Sequence, residues 1–260
     1  MKLLVLLLVV AVSAQASVLP TTTAYGYLAR SAAESEKRRE AEEKLLSQRI
    51  VNGLPAGIGQ VPYQAGLLIR IIGFNGQGVC GASLVSGNRL ITAAHCWFDG
   101  SHQAWMVTVV LGSNTLFTGG TRIDTSAVIT HTNWTPLLVR NDIAMIYLPN
   151  NVVQSNLIAP VALPRGDELH ETFVGSSAIA SGFGLTNTSG GILQTQYLSH
   201  VKLNVITNSI CSFAFPIILQ PTNICTSGVG GVGACRGDSG GPLVVTRNDR
   251  TVLVRYLLNL

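Results

Sequence analysis

Short β-branched runs alternate with clusters of turn residues along most of this chain. Met106-Val107-Thr108-Val109-Val110-Leu111 leads into Gly112-Ser113-Asn114, and Ile143-Ala144-Met145-Ile146-Tyr147-Leu148 into Pro149-Asn150-Asn151. Similar runs recur at Ala178 to Ala180, Val201 to Ile206 and Leu243 to Thr246. Branched side chains suit a pleated, half-buried surface, and Gly, Pro, Asn and Ser supply the reversals between strands, so the pattern predicts an all-β fold beyond Ile50. Only Asn208 to Phe213 suggests a short helix. The spacing leaves a sandwich and a barrel open.

Ahead of Ile50 the pattern changes twice. Lys2 precedes an unbroken apolar run from Leu3 to Val12, followed by the small-x-small triplet Ala14-Gln15-Ala16. This predicts a signal peptide over residues 1–16 and a secreted, extracellular protein. A membrane anchor is disfavoured because a bilayer-spanning helix needs about 20 apolar residues, twice the length of this run. Residues 17–49 contain the mixed-charge run Glu34 to Lys44, which reads as a solvated helix or a linker and as a removable segment.

Composition narrows the class. With 260 residues, 47% hydrophobic, 12% charged and 27 glycines, the chain reads as globular and loop-rich, with a sizeable core. Its net charge of +4 falls to +2 after Arg49, where ten basic residues face eight acidic ones, and nothing in that balance argues for nucleic acid. Five cysteines in a secreted chain imply disulfides with one thiol left over. Asn133-Trp134-Thr135 and Asn187-Thr188-Ser189 match the glycosylation acceptor pattern.

The richest chemistry lies in Gly237-Asp238-Ser239-Gly240-Gly241-Pro242, where glycines on both sides of one serine leave room for a carbonyl to approach its hydroxyl. A serine needs a general base to become a nucleophile and a third group to orient that base. His95, in Thr92-Ala93-Ala94-His95-Cys96, and Asp142, in Asn141-Asp142-Ile143-Ala144-Met145, are the candidates. His102, His131, His170 and His200 sit in no comparable motif and read as surface or satisfied residues. No histidine pair has helical metal-ligand spacing and no phosphate loop occurs, so neither a metal nor another cofactor is expected.

The order His, Asp, Ser is that of chymotrypsin among the unrelated triads. From Arg49 to about Val254 the chain resembles a chymotrypsin-like serine endopeptidase, and Gly233-Ala234-Cys235-Arg236 is similar to the segment of insect digestive chymotrypsins. The resemblance implies two packed six-stranded antiparallel barrels in a domain over 50–260, the first to about Asn151 and the second from about Pro160, with the site between them. It implies Ser239 as nucleophile, His95 as base and Asp142 as its orienting partner, with the backbone N–H groups of Gly237 and Ser239 as oxyanion hole. The segment 17–49 becomes an activation propeptide, cut after Arg49 by a trypsin-like protease so that the freed ammonium of Ile50 pairs with Asp238. Gly233, six positions before the nucleophile, lies at the base of the primary pocket, a neutral slot suited to Phe, Tyr, Trp or Leu. Disulfides are implied for Cys80 with Cys96 and Cys211 with Cys225, leaving Cys235 unpaired. Protein or peptide substrates, the activating protease and protein inhibitors are the implied partners of a monomer, with no nucleic acid and no membrane.

Two features stand apart. Beyond Arg49 there is one lysine, Lys202, against nine arginines, and arginine stays charged near pH 10 where lysine does not, which points to an alkaline fluid. The last residues, Arg255-Tyr256-Leu257-Leu258-Asn259-Leu260, do not match the family's continuation. The expectation is a second barrel that does not close and a pocket lacking its rear wall. That keeps a second class open, a non-catalytic homologue or vestigial product.

Overall fold

A computed structural model describes residues 23–32, 34–36, 56–184, 197–229, 233 and 237–257. Seven strands form the first sheet: β1 (Gln64–Ile71), β2 (Gln77–Ser86), β3 (Arg89–Thr92), β4 (Ala104–Leu111), β5 (Thr121–Thr125), β6 (Val128–Thr130) and β7 (Ala144–Tyr147), in the order β5-β4-β1-β2-β3-β7-β6. The second holds β8 (Ser177–Gly182), β9 (Ser199–Ile206), β10 (Cys225–Thr226), β11 (Pro242–Arg247) and β12 (Arg250–Tyr256), in the order β10-β9-β8-β11-β12. Every pairing within them is antiparallel.

The period of two along β1 explains how the sheets meet. Leu67, Ile69 and Ile71 point to one side and join Leu84, Leu90, Val107, Val109, Leu111 and Ile146 inside the first sheet. Leu68 points the other way and joins Val79 and Val110 against Val244 and Leu253 of the second sheet, with Phe183 and Leu198 between. A third cluster, Ala178, Ala180, Leu203, Val205, Leu243, Val245 and Val252, fills the second sheet itself. The strands are thus apolar on both faces where the sheets pack together, which is why simple apolar/polar alternation is weak along β1 and β2.

The resemblance implied six strands per barrel, against seven and five among the described residues. The difference in the first sheet is local: β5 and β6 are two pieces of one run, parted at Ser126 and Ala127, where the Ala127 N–H turns to Thr125 Oγ1 at 3.1 Å. In the second, Arg255 and Tyr256 continue β12 and pair with Leu243 and Pro242 of β11. Asn208–Cys211 is a single helical turn. Residues 27–32 and 34–36 are helical too, with Tyr27, Leu28, Ser31, Ala32 and Ser35 buried, while residues 37–49, most of the mixed-charge run, lie outside the described residues.

Tyr63 packs in the cluster between the sheets, and burial pushes its phenol from 10.0 up to about 12. In the unfolded chain the same phenol ionises near pH 10, so the folded state alone retains the proton above that value. Stability is therefore full below pH 10 and declines as pH rises toward 12. Urea midpoints at pH 8 and pH 11 should show a loss that Tyr63→Phe reduces by about 1 kcal/mol, one unit of pH being worth about 1.4 kcal/mol.

Candidate active site

The pairing of Thr92 with Ala144 sets the end of β3 beside the start of β7. One short 3-10 turn, Ala94–Cys96, follows β3 and carries His95, while Asp142 lies two residues before β7. The two side chains therefore meet across adjacent strands. Asp142 Oδ1 accepts the His95 backbone N–H at 2.8 Å, and Asp142 Oδ2 lies 2.6 Å from His95 Nδ1. His95 is 0% and Asp142 2% exposed. A carboxylate only accepts, so Nδ1 carries the proton, and in the neutral imidazole that leaves Nε2 as the acceptor. Nε2 is buried and has no hydrogen-bond partner among the described residues.

Cys96, next to His95, is disulfide-bonded to Cys80 of β2, closing a loop of sequence separation 16. On the chain-entropy account this contributes about 3 kcal/mol and fixes the turn that carries the imidazole. The sulfurs of Cys80 and Cys96 and a His95 nitrogen lie within 4.8 Å of one another, but the bonded sulfurs are not thiolates and offer no metal site. Cys211 and Cys225 form the second disulfide; Cys235 lies outside the described residues.

Ser239 sits in a turn pressed onto that same corner. Its carbonyl accepts the Gly81 N–H at 2.7 Å and lies 3.8 Å from Cys96 Sγ. The Gly240 N–H donates to the Leu257 carbonyl at 2.8 Å, and the Leu257 N–H to the Gly241 carbonyl at 2.7 Å, so the tail of the chain clamps the turn. Gly240 has φ 80°, and a Cβ there would collide with Thr92 Oγ1 and the Gly81 carbonyl. Gly237, with φ 94°, also occupies the left-handed region that glycine tolerates. Ser239 is fully buried.

Asp238 turns its carboxylate into a recess at the end of β8, where Oδ1 accepts the Gly184 N–H at 2.5 Å. Any side chain at Gly182 or Gly184 would strike it. Arg49 and Ile50 lie outside the described residues. Gly233 is exposed, and among the described residues nothing lies within 4 Å of where its Cβ would be. Of the remaining histidines, His102 Nδ1 lies 3.2 Å from Asp99 Oδ2, and His200 Nε2 lies 3.2 Å from Gln60 Nε2. Sequence reasoning passed over Gly81, Leu257 and Tyr27. The first two act through backbone groups, which leave no trace in residue type.

Two antiparallel sheets with a buried carboxylate–imidazole pair, and a glycine-bounded serine whose carbonyl lies against the neighbouring disulfide, have the architecture of a serine protease. The chain belongs to the trypsin family, whose model matches residues 50–254. It is 37% identical over 213 residues to a collagenase of Hypoderma lineatum, covering 81% of this chain and 76% of that protein. A brachyurin of Leptuca pugilator is 36% identical, over 75% of this chain and 80% of its own, and a chymotrypsin of Phaedon cochleariae is 34% identical, over 76% and 70%. The solved structure of HL collagenase superposes with a TM-score of 0.69 at 35% identity, covering 78% of this chain and 84% of that one.

Proposed function

We propose that the chain is a secreted serine endopeptidase, made as a zymogen and active after cleavage following Arg49. The observation that carries this reading is the buried His95–Asp142 pair, set on the same turn as Cys96, whose sulfur lies 3.8 Å from the Ser239 carbonyl. Ser239 Oγ attacks the scissile carbonyl and passes its proton to His95 Nε2. Asp142 holds the tautomer and stabilises the imidazolium, and the leaving amine then takes the proton. Water repeats the sequence to release the acid. The N–H groups of Gly237 and Ser239 would bind the oxyanion, a contribution of about 3 kcal/mol for each donor.

Residues 1–16 act as signal peptide and 17–49 as propeptide, a reading supported by the apolar leader, by the disulfides and by the start of the family match at Ile50. The ammonium of Ile50 then pairs with Asp238 and orders the oxyanion hole. Glycine at 233 supplies no carboxylate for Arg or Lys, so large apolar residues are the preferred substrates. Treating the purified precursor with trypsin and assaying an aromatic peptide amide tests the proposal. Turnover that appears only after the cut, and that a sulfonyl fluoride abolishes, is expected. A cut chain that hydrolyses nothing would mark a non-catalytic homologue.

A further inference from the structure

The segment ahead of Arg49 is more than a leash on Ile50. Ala24, Tyr27, Leu28, Ser31, Ala32 and Ser35 are all buried, a spacing of three and four that places one stripe of the helical segment against the protein. Tyr27 and Leu28 belong to the same apolar cluster as Cys80 and Cys96. The stripe lies on the catalytic face. The Tyr27 ring packs edge-on against the imidazole of His95, with ring centres 4.3 Å apart. Ser31 Oγ accepts the Val79 N–H at 2.6 Å and donates to the Val79 carbonyl at 2.9 Å. The Leu28 N–H donates to Asp99 Oδ2 at 2.9 Å, and Asp99 is itself fully buried. The Ala24 N–H donates to the Pro136 carbonyl at 3.2 Å, and the Ser35 hydroxyl to the Gln77 carbonyl.

Two consequences follow. β2 pairs with β3 only from Ser83 onward, so the stretch of β2 around Val79 has an edge that β3 leaves uncovered, and Ser31 occupies it. An extended peptide seeking backbone partners beside His95 would compete with the segment for that edge. Second, residues 17–49 contain no cysteine, so once the chain is cut after Arg49 nothing covalent holds the segment. Among the described residues its buried stripe and its hydrogen bonds hold it in place.

We propose that the segment formed by residues 23–32 and 34–36 is an inhibitory strap that binds over His95 and stays there, reversibly, after the activating cut. Cleavage frees Ile50, and loss of the strap then exposes the base. The inference rests on the protease reading above, and its partner is defined by chemistry: a helical peptide with Tyr27 as wedge, Ser31 as edge partner and an alanine and leucine stripe.

The test uses the trypsin-cut protein, freed of trypsin and of the strap by chromatography, and a synthetic peptide of residues 17–36. The peptide should inhibit hydrolysis of a small amide substrate competitively, and a Y27A/S31A peptide should bind at least tenfold more weakly. Calorimetry on the cut S239A protein, which cannot consume the peptide, should show one site and the same ranking. Full activity immediately on cutting, with the strap still present, together with no binding of the peptide at 100-fold excess, would overturn the inference. If the strap-free protein hydrolyses nothing, the protease reading fails, while calorimetry still decides whether the strap binds.

Discussion

Ser239→Ala should lower kcat of the activated enzyme by about 10^6-fold and leave KM within a small factor. The reason is chemical: alanine removes the only atom proposed to form the acyl bond, while the turn that holds it is fixed by backbone groups. The Ser239 carbonyl bonds to Gly81, and Gly240 and Gly241 bond to Leu257, all independently of the hydroxyl. Residues that act as one unit are not additive, so His95→Ala should cost about as much, and the double variant scarcely more. The check is kcat for the three variants beside their urea midpoints. A Ser239→Ala enzyme retaining a tenth of the activity would remove the acyl mechanism.

Asp142→Asn should cost about 10^4 in kcat with little change in stability. The geometry says why so small a substitution acts so strongly. Asp142 Oδ1 already accepts the His95 backbone N–H. In the asparagine variant that bond requires the carbonyl oxygen to stay on the same side, which turns the NH2 group toward His95 Nδ1. Nδ1 must then accept and Nε2 must carry the proton, so the imidazole can no longer take one from Ser239. The measurement is kcat against pH for the two proteins at matched folding stability. A loss below tenfold would show that the carboxylate does not set the tautomer.

The fold class was legible because β-branched runs and turn clusters persist wherever a strand is half buried, as at Met106 to Leu111, which became β4, and Leu243 to Thr246, which became β11. β1 and β2 escaped notice for a physical reason. Their residues face the interior on one side and the other sheet on the other, so Gln64, Gly66 and Gly81 are buried beside Leu67 and Val79 and no alternation marks them. Within the site, His95 and Asp142 were legible by motif, and the structure places them 2.6 Å apart. The Leu257 clamp was not legible, because Arg255 to Leu260 showed no likeness to anything expected and backbone bonds leave no residue signature. The strap was hidden by its neighbours: the charged run from Glu34 to Lys44 suggested a solvated segment, although Ala24, Tyr27, Leu28, Ser31 and Ala32 already carried a helical stripe.

The central claim is that His95 makes Ser239 a nucleophile, and a phosphonofluoridate label reads that chemistry directly. After activation and removal of the strap, one equivalent of label should appear on Ser239, within the tryptic peptide Gly237 to Arg247. Labelling should be lost in His95→Ala. An unlabelled Ser239, or equal labelling with and without the imidazole, would contradict the account.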